Sequence, residues 1–256
     1  MKGDSLIVIP ARIGSTRFPK KVLQPLGSIP VIEWCRRAAV KADCGPVVVA
    51  TDSQEVREIV IRFGGRAVMT PAGCRSGTDR AHAALGPCEK IFGRRFASVI
   101  NVQGDEPFIR PQTIRKVTAL VTGKSPAEMA TAYFPLRDRR AANDPNRVKT
   151  AVSLKGRCLY FSRAAIPYGR NASPRFFQHV GIYGFTRNAL ARFVRYRPTP
   201  LEKTESLEQL RALEHGMIVM GARVAETSLS IDTPQDLARA KRWLKARSAK
   251  KTKRRH

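Results

Sequence analysis

The first 122 residues alternate between short apolar runs and longer amphipathic runs, and this order limits the folds open to the chain. Three of the apolar runs are continuous, as in strands buried on both faces: residues 6–9, 47–50 and 99–102. Amphipathic helical patterns follow them, one after Pro30, one after a capping-box pattern of Asp52 and Glu55, and one from Pro111. The resulting β-α-β-α-β-α order predicts an α/β fold with a mostly parallel open sheet and flanking helices.

The middle of the chain carries a different pattern. Residues 148–153 and 158–161 flank Lys155-Gly156 and predict an antiparallel hairpin. The next segment, 167–178, is rich in Gly, Pro and Asn and predicts a loop, after which residues 181–185 return to a strand-like run. We therefore expect an antiparallel hairpin insertion within a mostly parallel sheet.

The end of the chain predicts a last helix, with Thr233 as its N-cap and Pro234 in its first turn. The patterns together predict one domain over residues 1–247, in which about 130–185 form the hairpin and loop region. Residues 248–256 are strongly basic and predict a disordered tail.

The charge of the chain is strongly positive, because 47 Lys and Arg against 20 Asp and Glu give a net charge of +27. This balance is compatible with nucleic-acid binding, with an anionic small substrate or with a general basic bias. Aromatic residues are only 7% of the chain and no nucleic-acid-binding motif occurs, so a specific nucleic-acid partner is the weakest of the three. A hydrophobic content of 43% excludes a disordered basic protein.

The sequence does not predict a membrane span or secretion. It has no run of about 18 apolar residues, and the apolar stretch before Pro10 is too short for a signal peptide. The five cysteines are an odd number without a C-x-x-C pair, which favours reduced thiols over disulfides or a zinc site. We therefore expect a cytoplasmic protein without a membrane partner.

The segment that follows the first strand-like run has the composition of an anion site. Residues 9–21, IPARIGSTRFPKK, hold Gly14, two hydroxyl side chains and several cations. Ligands of open α/β sheets bind beyond the carboxyl ends of strands, and Arg and Lys neutralise phosphate oxygens. The segment matches neither a Walker A loop nor G-x-G-x-x-G, so a phosphate site of another kind competes with a solvated basic loop.

Three further segments could carry chemistry. Asp105, in NVQGDEP after a buried strand, is suited to Mg²⁺ but also to an ordinary turn. Asp232 lies just before the last helix, where an acid often serves the helix alone. Residues 76–80, SGTDR, could bind a base or a phosphate or could simply cap a helix.

In their order and spacing, these segments resemble the 3-deoxy-manno-octulosonate cytidylyltransferases. The resemblance runs from about residue 5 to residue 245 and includes IPARIGSTRFPKKVL, VATDSQEV, SGTDR, NVQGDEP, DPNRVK, LYFSRAAIP, QHVGIYGF, PLEKTESLEQLR and IDTPQDL. It implies a nucleotide-diphospho-sugar transferase-like, Rossmann-like fold. It also implies a nucleotidyltransferase that activates 3-deoxy-D-manno-octulosonate (Kdo) with CTP, giving CMP-Kdo and pyrophosphate for lipopolysaccharide biosynthesis.

The resemblance also assigns residues to roles. Asp105 and Asp232 would hold a catalytic Mg²⁺ and, with Lys21 and Arg12, form the catalytic set. The nucleotide would be bound by Pro10, Ala11, Arg12, Ser15, Arg17, Lys21, Ser76, Gly77, Arg80 and Gln103. The sugar would be bound by Gln103, Arg163, His179, Tyr183, Glu208 and Gln209. Without the resemblance, the last four would be read as a loop histidine, a core aromatic and an exposed helix face.

The resemblance leaves some questions open. Lys20 stands where the family usually has Gly, so the first loop would be strained here if that glycine has a positive φ. The family implies a homodimer with contacts in residues 130–185. A related acidic sugar, 8-amino-Kdo or sialic acid, is an alternative substrate, and a basic nucleic-acid-binding protein is a distant alternative.

Overall fold

The first strand buries both of its faces, as its continuous apolar sequence predicts. In the computed structural model, which describes residues 4–14, 18–225 and 229–252, this strand is β1, Ser5–Ala11. Leu6 and Val8 contribute to one hydrophobic core, whereas Ile7 and Ile9 contribute to a second core on the opposite face. All four side chains are completely buried, so β1 lies in the middle of the molecule.

The remaining strands complete one large sheet and a small two-stranded ribbon. They are β2 Pro25–Leu26, β3 Ile29–Pro30, β4 Val47–Thr51, β5 Ala67–Met69, β6 Ser98–Val102, β7 Met129–Leu136, β8 Lys149–Val152, β9 Cys158–Ser162, β10 Phe176–Thr186 and β11 Val219–Arg223. The large sheet has the order β11-β7-β10-β6-β1-β4-β5, and β2 pairs with β3. Along this order every pairing is parallel except those of β10, which runs against β6 and β7. The predicted mostly parallel open sheet is confirmed.

Helices cover both faces of the sheet. They are α1 Val31–Ala42, α2 Gln54–Arg62, α3 Gly77–Phe92, α4 Pro111–Thr122, α5 Arg139–Asn143, α6 Arg187–Phe193, α7 Pro200–Glu205, α8 Gln209–Glu214 and α9 Pro234–Thr252. Apolar residues of α1, α2 and α4 enter the core that contains Ile7, and those of α3, α6 and α8 enter the core that contains Leu6. In the part of the chain that the structure describes, no helix has the length and apolar character needed to cross a membrane.

Two helix starts match the sequence pattern and one does not. Pro111 lies in the first turn of α4, and the Thr233 hydroxyl accepts from the Asp236 backbone N at 3.2 Å at the start of α9. The prediction that Asp52 caps α2 is wrong by one residue, because Ser53 Oγ accepts from the Val56 N at 3.3 Å. The Asp52 carboxylate is instead paired with Arg80.

The antiparallel hairpin lies at the predicted position. It is formed by β8 and β9, and Gly156 in the turn adopts a φ of 81°, which favours glycine. The predicted loop 167–178 ends earlier than expected, because β10 begins at Phe176 and pairs with β7 from that residue. The backbone of α9 continues into the first residues of the predicted tail, since Lys, Arg and Ala favour helix, and residues 253–256 lie outside the described residues.

Candidate active site

A cavity of about 320 Å³ lies at the carboxyl ends of β1 and β6, the two central strands that pair in parallel. Most of the predicted nucleotide-binding and catalytic residues line it: Pro10, Arg12, Lys21, Ser76, Gly77, Arg80, Gln103, Asp105 and Asp232. Ala11 is buried in the core instead, and Ser15 and Arg17 lie outside the described residues. The fold therefore gathers segments from distant parts of the sequence at the place where α/β sheets bind ligands.

Lys21 bridges the two predicted metal ligands. Its Nζ lies 2.5 Å from Asp105 Oδ2 and 2.9 Å from Asp232 Oδ1, and a backbone bond of 2.9 Å from Ile231 N to Asp105 O joins the two loops. Burial by itself would lower the pKa of Lys21, but the two carboxylates raise it above its ordinary value. The ammonium therefore stays charged between two carboxylates.

This arrangement fits a divalent cation. The ammonium of Lys21 lies between Asp105 and Asp232, which shows that their carboxylates converge on a positive charge. Among the described residues there is no cluster of three or more His, Cys, Asp or Glu side chains suited to a metal. Two carboxylates are sufficient for Mg²⁺, which usually retains waters and takes phosphate oxygens as its other ligands. Mg²⁺ binding remains a prediction.

The first turn of α3 forms another wall of the cavity. The Ser76 hydroxyl accepts from the Asp79 backbone N at 3.1 Å, so it caps the helix. A Cβ on Gly77 would lie 3.2 Å from Pro10 Cγ and 3.4 Å from Gln103 Oε1, so glycine permits the close approach of α3 to the two strand ends. The unpaired N–H groups of a helix start favour anions, which suits a triphosphate.

Arg80 lines the same cavity, but its guanidinium is already engaged. Nη1 donates to Thr70 Oγ1 and Nη2 donates to Asp52 Oδ2, both at 2.7 Å. The residue is only 2% exposed. Its nucleotide-binding role therefore remains a prediction, whereas the contacts assign it to a buried ion pair that supports the cavity wall.

Lys20 adopts a positive φ at the position where the related family usually has Gly. Its φ and ψ are 54° and 25°, the left-handed region that favours glycine, and its Nζ lies 2.8 Å from Glu55 Oε2 in an exposed ion pair. The side chain thus pairs with α2.

Replacing Lys20 with Gly is expected to raise the free energy of unfolding by about 0.5–1 kcal/mol, because the relief of backbone strain exceeds the loss of an exposed ion pair. Urea unfolding measures this, and Glu55→Gln, which removes only the ion pair, is the control. An unchanged or lower free energy of unfolding in Lys20→Gly would contradict the expectation.

A second cavity, of about 710 Å³, adjoins the first and shares Gly77, Gln103 and Asp232 with it. The predicted sugar-binding residues line it together: Gln103, Arg163, His179, Tyr183, Glu208 and Gln209. The structure thus brings the two predicted sets into neighbouring spaces.

A β-bulge places two of these side chains next to each other. Between Val180 and Gly184 the register of β10 against β7 shifts, so residues 181–183 face a single residue of β7. In a regular strand, residues four positions apart have Cα atoms about 13 Å apart, which is too far for most side chains to meet. The rings of His179 and Tyr183 nevertheless lie close together, with centroids 5.6 Å apart. The sequence pattern did not predict this bulge.

The polar groups of the second cavity hold one another in place. The Tyr183 hydroxyl donates to Gln209 Oε1 at 2.9 Å, and the Thr78 hydroxyl donates to the Glu208 carboxylate. Burial raises the pKa values of both Tyr183 and Glu208. Tyr183 is therefore a neutral phenol at neutral pH.

Arg163 joins neighbouring backbone segments at the edge of this cavity. Its guanidinium donates to three backbone carbonyl oxygens: Glu205 O at 2.7 Å, Pro145 O at 3.0 Å and Ser206 O at 3.5 Å. Its own carbonyl oxygen accepts from Lys149 Nζ at 2.5 Å. Much of its hydrogen-bonding capacity is thus used to join loops, and its contact with a sugar remains a prediction.

Sequence reasoning noted the motif DPNRVK but assigned no role to its two cations. Lys149 is fully buried, and its Nζ also donates to Asp144 O at 2.8 Å. Arg147 lines the second cavity, and its side chain is 39% exposed. The signal was the pair of cations within a short motif, but the motif alone does not say which cation faces the ligand.

His179 is buried without an ionic partner, and burial lowers its pKa to about 3. The unfolded chain takes up a proton here below about pH 6.5, whereas the native state stays neutral. Its contribution to stability therefore falls as the pH is lowered from about 6.5 towards 3.

The free energy of unfolding of the wild type is expected to fall by about 1.5 kcal/mol more than that of His179→Gln between pH 6.5 and pH 5. Urea unfolding of both proteins at the two pH values measures this difference. Equal pH dependence in the two proteins would contradict the buried neutral state of His179.

Comparisons with known proteins agree with this architecture. A family model described as cytidylyltransferase matches residues 6–223. The 3-deoxy-manno-octulosonate cytidylyltransferase of Elusimicrobium minutum (strain Pei191) is 42% identical over 248 residues, which cover 95% of this chain and 99% of the relative. That of a Nitratiruptor species is 44% identical over 237 residues, which cover 91% and 96%.

Solved structures show the same fold. The structure of CMP:2-keto-3-deoxy-manno-octonic acid synthetase complexed with CTP matches with a TM-score of 0.86 at 35% identity, over 95% of this chain and 99% of that one. A cytidylyltransferase from Leptospira borgpetersenii serovar Hardjo-bovis has a TM-score of 0.58 at 18% identity, over 91% and 83%. The second likeness concerns the fold alone.

Proposed function

Because the chain belongs to the 3-deoxy-manno-octulosonate cytidylyltransferase family, we propose that it activates Kdo with CTP, giving CMP-Kdo and pyrophosphate for lipopolysaccharide biosynthesis. One observation carries the proposal: two cavities meet at Gly77, Gln103 and Asp232. The smaller has the cations and helix start that a triphosphate needs, and the larger has the hydrogen-bonding groups that a polyhydroxylated sugar needs.

The reaction joins the contents of the two cavities. The anomeric hydroxyl oxygen of the sugar forms a bond to the α-phosphorus of CTP, and the bond between that phosphorus and the bridging oxygen breaks. Pyrophosphate leaves with the electron pair of the broken bond, and the proton of the hydroxyl is released to solvent. Catalysis of this kind rests on positioning and on stabilisation of charge.

On the nucleotide side, Arg12 and Lys21 neutralise phosphate oxygens. Lys21 stays charged because Asp105 and Asp232 hold its ammonium. An ammonium has three N–H donors, so Lys21 can contact both carboxylates and still donate to a phosphate oxygen. The same two carboxylates would hold Mg²⁺. A bound Mg²⁺ would supply positive charge at the α-phosphate and lower the pKa of the attacking hydroxyl.

On the sugar side, several of the lining side chains are uncharged hydrogen-bonding groups. Tyr183, Gln209 and the neutral His179 are suited to sugar hydroxyls, and their mutual contacts fix their positions. The carboxylate of the sugar needs a cation, which the partly exposed Arg147 supplies at the wall of the same cavity.

We also propose a cytoplasmic homodimer with its contacts in residues 130–185. Large apolar side chains on the hairpin and the loop after it support this proposal, since Leu154 is fully exposed, Tyr168 is 88% exposed and Leu159 is 56% exposed. Light scattering after gel filtration would give the mass of a dimer, and the mass of a monomer would overturn the proposal.

A pyrophosphate-release assay tests the function. The full chain, CTP, Mg²⁺ and Kdo should together release pyrophosphate, and the omission of the sugar should abolish the release. Parallel reactions with 8-amino-Kdo, with sialic acid and with UTP in place of CTP define the substrates. Turnover with another acidic sugar but not with Kdo would change the substrate, and no turnover with any of them would overturn the proposal.

A further inference from the structure

Thr131 is the residue of β7 that faces the β-bulge. Its neighbours Ala130 and Ala132 pair with Gly184 and Val180, so Thr131 lies opposite residues 181–183 of β10. Its side chain is completely buried. Three groups lie around its Oγ1: Ile182 O at 2.8 Å, Val180 O at 3.3 Å and His179 Nε2 at 2.8 Å.

The single proton of this hydroxyl determines the direction of the hydrogen bonds. A carbonyl oxygen only accepts, so the contact of 2.8 Å with Ile182 O requires Thr131 to donate there. Oγ1 then presents a lone pair to His179 Nε2, which must carry a proton at a distance of 2.8 Å. The reverse orientation would set two oxygens with lone pairs against each other at hydrogen-bonding distance.

The other ring nitrogen of His179 follows from this assignment. Burial lowers the pKa of His179 to about 3, so the neutral ring carries only one N–H. With the proton on Nε2, Nδ1 is an acceptor, and no hydrogen bond within the described residues reaches it. Phe161 and Tyr183 pack on the ring with centroids at 5.1 Å and 5.6 Å, and the residue lines the larger cavity.

We propose that Thr131 is a positioning residue that holds His179 in its Nε2–H tautomer, so that Nδ1 accepts a hydrogen bond from a hydroxyl of the acidic sugar. The part that concerns the sugar rests on the proposed function. The tautomer itself is a property of the free protein. The bulge and the hydroxyl thus act together: the bulge brings His179 to Tyr183, and Thr131 determines which nitrogen is left for the substrate.

The tautomer can be read directly by ¹⁵N NMR of the histidine side chains in the full chain without ligand. The chain has four histidines, and His179→Gln assigns the signal of interest. We expect a protonated Nε2 and an unprotonated Nδ1 in the wild type and in Thr131→Ser, which keeps the hydroxyl. Thr131→Val should populate the other tautomer. An Nδ1–H tautomer in the wild type would overturn the assigned tautomer of His179. An unchanged tautomer in Thr131→Val would overturn the role of Thr131 in holding it.

Steady-state kinetics test the consequence for the sugar. Thr131→Val is expected to raise the KM for Kdo about tenfold, with the KM for CTP within about twofold, and Thr131→Ser should restore the KM for Kdo. An unchanged KM for Kdo in folded Thr131→Val would overturn the positioning role. If the wild type activates no acidic sugar, the proposed function fails, whereas the NMR measurement still decides the tautomer.

Discussion

Replacement of Asp105 by Asn is expected to lower kcat for pyrophosphate release by about 10²–10³-fold. The substitution keeps the shape of the side chain but removes the charge that Lys21 contacts at 2.5 Å and that a Mg²⁺ between Asp105 and Asp232 would require. Asp232→Asn should have a similar effect, because its carboxylate contacts the same ammonium. The measurement is a continuous pyrophosphate assay at saturating CTP, Kdo and Mg²⁺.

Asp138→Asn is the matched control. Asp138 is likewise an aspartate, and it lies at the start of a helix, where its Oδ1 accepts from Arg140 N at 2.8 Å. It lines neither cavity. We expect a kcat like that of the wild type. A wild-type rate in both Asp105→Asn and Asp232→Asn, with their thermal unfolding unchanged, would refute the assignment of the two carboxylates.

The central strands were predictable because they are buried on both faces. β1, β4 and β6 read as continuous apolar runs for that reason. The pattern missed β7 and β11, because their identity depends on neighbours that are distant in sequence. A Cβ on Gly221 of β11, for example, would lie 2.7 Å from the ring of Tyr133 on β7. Glycine at that position serves a close contact that no local pattern reveals.

The sequence predicted which residues belong to the candidate site, but it did not predict the contacts between them. The motifs placed Asp105 and Asp232 in the site through a family resemblance, while the residues alone left a turn and a helix start as alternatives. What the sequence could not predict is that Lys21 would lie between them, since the fold brings these three positions together from distant segments. The same limit applies to the bulge at His179, which is a property of two paired strands.

Arg80 shows the same limit and leads to a second strong expectation. Arg80→Met should lower the free energy of unfolding by about 3 kcal/mol, because it leaves the Asp52 carboxylate without its cation and Thr70 without its donor. Asp52 Oδ1 is already buried without a hydrogen-bond partner within the described residues, so little is available to replace the lost contact.

Arg75→Met is the control. Arg75 lines the same cavity, but its side chain is 59% exposed and its Nε lies 3.9 Å from Asp79 Oδ2. The loss of this exposed ion pair should lower the free energy of unfolding by less than about 0.5 kcal/mol. Urea unfolding measures both variants, and equal stabilities would contradict the role of Arg80 in supporting the wall of the cavity.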